Sequence, residues 1–138
     1  MGTLLDASAL VAFLDDEPGA SEVELMLSAG TAAIPSVNLA EAAQRVLRES
    51  GATAGELREL VSALPLAVVP VTESHAWRAA ELRATHYRRM ESEVSLTDCC
   101  LVAVATAADR VASSDPALLR MAKAEGLAVA ALPDSRGL

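Results

Sequence analysis

Apolar positions along the chain fall into two kinds of run. Short runs without helical spacing lie at Thr3–Leu5, Thr31–Ile34, Leu66–Val71, Arg110–Ser113 and Leu127–Leu132, and each reads as a strand. Between them lie longer stretches with the three-to-four-residue spacing of a helix buried on one side. This spacing predicts helices over Ala7–Leu14, Ser21–Leu27, about Val37 to Glu49, and along the stripe Leu57, Leu60, Val61 and Leu64. It predicts another whose face carries Ala76, Trp77, Ala80, Ala84 and Tyr87, and a last one over Pro116–Glu125. Leu96 to Ala108 is apolar nearly all round, the mark of a buried helix. Pro18–Gly19, Pro35, Ser50–Gly51, Gly126 and Pro133 punctuate these elements, and Pro70 suits an edge strand or strand end. Residues 88–93 are charged and expected to be exposed.

Strands alternating with helices imply a parallel sheet covered on both faces. The expected fold is therefore α/β, a three-layer α/β/α sandwich of four or five strands in the order 3-2-1-4-5, forming one domain over residues 1–138. Right-handed crossovers put the helices after the first two strands on one face and the later helices on the other.

Composition narrows the picture. Hydrophobic residues make up 52% of the chain and aromatics 2%, so the core must be aliphatic. The two cysteines, Cys99 and Cys100, are neighbours inside an apolar run and read as reduced core thiols rather than a disulfide or zinc framework. An acid follows the first five residues, without the basic start of a signal peptide, and the longest uncharged apolar run is far short of the ~20 residues a membrane span needs. A soluble cytoplasmic protein with no membrane partner is expected. The net charge of −8 excludes a protein that coats nucleic acid nonspecifically, but not an enzyme that cuts it.

The candidate chemistry lies in four acids. In a parallel sheet the helices that follow strands begin near the strands' carboxyl edge, where ligands bind at the point of topological reversal. Asp6 ends the first strand and Asp115 follows the fourth, so they flank that point. Glu41 lies early in the helix after the second strand, and Asp98 in the first turn of the helix leading to the fourth. Four converging carboxylates repel one another and call for a cation, and oxygen-only donors suit Mg²⁺, with Mn²⁺ as a substitute. Such a site suits phosphodiester hydrolysis. Local helix chemistry offers each acid a second use. Asp6 and Asp115 stand where helix N-caps are expected, the latter before Pro116, while Asn38–Glu41 and Ser95–Asp98 have the spacing of a capping box.

The segments LLDASAL (4–10), IPSVNLAEAAQRV (34–46), SLTDCCLVAVA (95–105), SSDPALLRMAK (113–123) and LAVAALPDSR (127–136) together resemble the PIN-domain nucleases, in particular VapC toxins of type II toxin–antitoxin pairs. The likeness runs over nearly the whole chain. It implies a metal-dependent endoribonuclease that cuts tRNA or rRNA, forms a homodimer, and is held in check by a cognate VapB-like antitoxin. It implies Asp6, Glu41, Asp98 and Asp115 as catalytic and metal-holding residues, with Ser8 and Ser113 as polar neighbours of the first and last acids. Serine at 113 departs from the family's more frequent threonine but keeps the hydroxyl.

An acidic nuclease still needs cations for the RNA phosphates. Arg88 and Arg89 are the first candidates, followed by Arg45 and Arg120, with Arg48, Lys123 and Arg136 behind them. Trp77 and Tyr87 are expected to pack rather than stack on bases, and His75 and His86 to lie on the surface. Two other functions compete with the nuclease. One is a catalytically idle PIN-like module that only binds protein. The other is a Mg²⁺-binding receiver domain, which lacks here the phospho-accepting aspartate after the third strand and the lysine after the fifth.

Overall fold

The computed structural model describes residues 2–87 and 93–138. Its elements, in chain order, are β1 (Thr3–Leu5), α1 (Ala7–Leu14), α2 (Ala20–Ser28), β2 (Ala32–Pro35), α3 (Ser36–Ser50) and α4 (Ala54–Ser62). They continue with β3 (Leu66–Val69), α5 (Glu73–His86), α6 (Leu96–Val104), β4 (Arg110–Ser113), α7 (Pro116–Ala124) and β5 (Ala128–Ala131). The five strands form one sheet in the order β3-β2-β1-β4-β5, with every pair parallel. This is the expected order, and it differs from the 2-1-3-4-5 order of receiver-type folds.

Two aliphatic cores lie on the two faces of the sheet, and strand alternation decides which residue joins which. On β1, Leu5 enters the core of α1 to α4 while Leu4 enters that of α5 to α7. On β4, Ala112 and Val111 divide in the same way. Leu10, Val11, Val23, Ala42, Val46 and Leu57 fill the first core, and Ala79, Leu82, Leu101, Leu118 and Met121 the second. The division follows the expected handedness: crossovers toward β3 share one face and those toward β5 the other.

Local chemistry sets the helix ends. Thr53 and Thr72 cap α4 and α5 with reciprocal capping boxes, the second closed by His75 rather than an acid. Gly51 ends α3 at φ 74, a left-handed position that glycine adopts without steric cost.

Three expectations need correction. The helix expected over Leu96 to Ala108 stops at Val104, and Ala105 is extended. β4 must begin at Arg110, whose backbone N–H donates to the Gly2 carbonyl, and Asp109 holds the turn before it through the Thr106 N–H and hydroxyl. Trp77 does not pack inward: it is 68% exposed, with its indole N–H on Glu73. His86 is not a free surface group, since its Nε2 lies 2.7 Å from Glu125.

Among the described residues no helix is long and apolar enough to cross a membrane. Cys99 is buried beside Met121, and burial pushes its thiol up to about 11, so it is an inert core group at neutral pH.

Candidate active site

At the carboxyl edge of the strands, a cleft of about 260 Å³ is lined by Asp6, Ala7, Ser8, Glu41, Arg45, Glu93, Ser95, Asp98 and Asp115. All four acids singled out from the sequence line it. A larger cavity of about 480 Å³ lies between α3, α4 and β3, but its lining is mostly aliphatic and includes no acid. The smaller cleft, not the larger cavity, gathers the acids.

Three of the acids are placed by helix capping. Asp6 is the N-cap of α1: its Oδ1 accepts from Ala9 N–H at 2.9 Å and from the Ser8 hydroxyl at 2.7 Å, and its Oδ2 from Ser113 at 2.5 Å. Asp98 closes a capping box at the start of α6, accepting from Ser95 N–H at 3.2 Å while its own N–H donates to the Ser95 hydroxyl at 3.0 Å. Asp115 caps α7, accepting from Ala117 N–H at 3.0 Å, with Pro116 as the first helical residue. Each aspartate thus carries both of its sequence-level readings, capping with one oxygen and facing the same cleft.

Glu41 behaves differently. α3 has Pro35 at its N-cap and no side-chain cap, so the Asn38–Glu41 capping box does not form. Glu41 is exposed and has no hydrogen bond among the described residues, leaving both oxygens turned to solvent at the cleft.

The two serines tie the ends of β1 and β4 together. The Ser113 hydroxyl donates to Asp6 and accepts from Asp115 N–H at 2.9 Å, while the Ser8 hydroxyl donates to Asp6 and accepts from Ser114 N–H at 3.2 Å. These hydroxyls fix the orientation of the Asp6 carboxylate and the separation of the two strand ends.

The electrostatics are those of an undercompensated anionic site. Burial pushes the Asp6 carboxyl up, against the lowering effect of its bonds from Ser113, Ser8 and Ala9, and the charge of Asp115 adds to the rise. Asp98 is pushed up to about 7, chiefly by burial and further by the charges of Asp115 and Asp6, against the bond from Ser95. Among the described residues no three His, Cys, Asp or Glu side chains are drawn around one point as a ready cation cage. The donor set nevertheless fits a hard divalent ion, since every candidate is a carboxylate and the site has negative charge to spare.

Sequence reasoning missed Glu93, an exposed fifth acid on the cleft. Its signal was position: it lies two residues before the Ser95 N-cap, on the same edge as Asp98. Of the proposed phosphate contacts, Arg45 lines the cleft one turn beyond Glu41 and pairs with no carboxylate among the described residues. Arg120 is exposed on α7 and does not line it. Arg88 and Arg89 lie outside the described residues. Arg136 is taken up by Asp134 at 2.9 Å.

A family model described as PIN domain matches residues 3–124. No curated protein matches the chain. Solved structures share its fold at low identity. VapBC2 from Rickettsia felis, bound to a DNA fragment from its promoter, aligns with a TM-score of 0.68 at 13% identity, covering 96% of this chain and 99% of that one. FitAcB from Neisseria gonorrhoeae aligns at 0.66 and 19% identity, covering 92% and 95%. A toxin–antitoxin complex from Klebsiella pneumoniae aligns at 0.63 and 16% identity, covering 86% and 90%.

Proposed function

The chain belongs to the PIN domain family, whose members are nucleases, and from that premise we propose that it is a divalent-metal-dependent endoribonuclease acting as the toxin of a toxin–antitoxin pair. One observation carries the reading: Asp6, Glu41, Asp98 and Asp115, far apart in sequence, line a single cleft in which burial and mutual repulsion disfavour the anionic forms of Asp6 and Asp98. A bound cation reverses that penalty.

Asp6, Asp98 and Asp115 would hold Mg²⁺ or Mn²⁺, with Glu41 completing the set from α3. The ion, when bound, polarises the phosphate and lowers the pKa of attacking water. The chain's own groups prepare this arrangement. Ser8 and Ser113 keep Asp6 oriented toward the cleft, Ser95 anchors Asp98 by one oxygen, and the start of α7 anchors Asp115. Arg45 is placed to contact a backbone phosphate, the one cation among the cleft-lining residues named above. Glu41, free of intramolecular bonds and one turn from Arg45, is the acid best able to move onto an incoming ion.

The toxin assignment and the antitoxin partner draw their support from structural relatives, a toxin–antitoxin complex and VapBC2, whereas a homodimeric state rests on the family resemblance. The substrate class of tRNA or rRNA, and a cytoplasmic location, rest on the family resemblance. The presence of all four acids in one cleft weighs against the idle-module alternative.

Purified protein incubated with total RNA, with and without Mn²⁺, is the direct test, with the new RNA ends read by sequencing. Metal-dependent cuts that vanish in Asp6→Asn are expected. Cuts of equal yield in wild type and Asp6→Asn would overturn the assignment.

A further inference from the structure

Asn38 lies in the first turn of α3, one helical turn before Glu41, and its side chain is wholly buried. Neither its amide nitrogen nor its oxygen has a hydrogen-bond partner. A carboxamide carries two donors and room for two acceptor bonds, and interiors rarely leave such a group unpaired without a functional or solvent-mediated reason. Nothing about packing requires a polar residue here. Ala42 and Val46, the other buried residues of α3, belong to an aliphatic core in which leucine, of nearly the same shape as asparagine, would be cheaper.

The location is what links this orphaned group to the site. α3 packs on α1 and α6, the helices capped by Asp6 and opened by Asp98, and all three begin at the carboxyl edge. The first turn of α3, which carries Asn38, therefore starts on the same edge as Asp6 and Asp98, and Asn38 itself is not among the residues that line the cleft. α3 is also the one of these helices without a side-chain cap, and Glu41 is the one candidate acid not held by a hydrogen bond. The element that most needs an orienting contact is the element carrying an unused carboxamide.

We propose that Asn38 is a positioning residue of the nuclease site, its carboxamide pairing through buried water with the hydration shell of the bound cation and so fixing the first turn of α3 and Glu41 upon it. The proposal rests on the metal-dependent reading given above. It requires no direct contact between Asn38 and RNA. Divalent ions of this class keep several waters, and groups in a metal site's outer shell commonly change affinity or activity 10- to 100-fold when removed.

The test is Mn²⁺ titration calorimetry and thermal melting on metal-free wild type, Asn38→Leu, Asn38→Ser and Asn38→Ala. Asn38→Leu removes the unpaired groups while keeping the branched skeleton, at a somewhat larger volume. Its Mn²⁺ affinity should be about tenfold weaker, whatever the change in metal-free melting temperature. Asn38→Ser, which keeps a hydroxyl and makes room for water, should bind Mn²⁺ more tightly than Asn38→Ala. A purely structural asparagine would move the melting temperature and leave Mn²⁺ affinity alone. Equal Mn²⁺ affinity in wild type and Asn38→Leu overturns the proposal while leaving the nuclease reading intact. If Asn38→Leu fails to fold, the Ser and Ala pair decides, and equal affinity in those two overturns it. Wild type that neither takes up Mn²⁺ nor cleaves RNA overturns both.

Discussion

Two charged clusters in this molecule differ in how their charges are balanced. The cleft at the carboxyl edge gathers Asp6, Asp98 and Asp115, carboxylates whose charges oppose one another and two of which are buried. The cluster joining α5 to the end of α7 sets Glu125 between Arg78, at 2.6 Å, and His86, at 2.7 Å. In the first, burial and repulsion push Asp6 and Asp98 up; in the second, the hydrogen bond with His86, helped by Arg78, holds Glu125 below the usual carboxylate range. One cluster stabilises the fold modestly. The other opposes it, and persists because helix caps and serine hydroxyls hold the acids in place.

The largest effect that would test this contrast is functional. Asp98→Asn should reduce RNA cleavage by at least about a hundredfold, the upper end of what even an outer-shell change costs a metal site. Its metal-free melting temperature should equal or exceed that of wild type, because a neutral isostere removes a buried charge. Retained cleavage, or a large loss of stability, would show that Asp98 is a structural cap alone.

The two clusters should also respond oppositely to pH. Asp98 is raised in the fold from 3.8 to about 7, so its contribution to stability is full below the unfolded value and lost as pH rises through about 7. Metal-free wild type should therefore melt at a higher temperature at pH 5 than at pH 8, and Asp98→Asn should flatten that slope. Saturating Mn²⁺ should reverse it, since the ion binds the deprotonated acids. A metal-free melting curve that does not change between these pH values would refute the account of the cleft.

The smallest effect belongs to Glu125. Its folded pKa is depressed, so its contribution is present above the unfolded value and lost as pH falls through the folded one. Glu125→Gln should lower the melting temperature by at most about 3 °C, as expected for a partly exposed ion pair, and leave cleavage unchanged. A cleavage defect in this variant would join the two clusters into one functional unit.

Much of the fold could be read from residue patterns. The strand Arg110–Ser113 has the expected bounds, and the order 3-2-1-4-5 and the division of helices between faces follow from alternation and crossover handedness. The overlong helix at Leu96 to Ala108 failed for a reason no periodicity carries: residues 105–109 must return the chain to β4, and a tertiary hydrogen bond between Arg110 and Gly2 fixes where. Trp77 and His86 failed likewise, because helical spacing shows which residues share a face but not what lies opposite.

The sequence by itself placed four acids at helix starts along one sheet edge, because parallel topology sends every such start to the same side. Only the tertiary structure decided how they differ. Three aspartates are locked by capping bonds, Glu41 is left unbonded, Glu93 and Arg45 join them on the cleft, and Asn38 is buried without a partner one turn before Glu41. Burial and hydrogen bonding depend on which elements meet across the chain, and those contacts, set by packing, turn equivalent carboxylates into groups with separate roles.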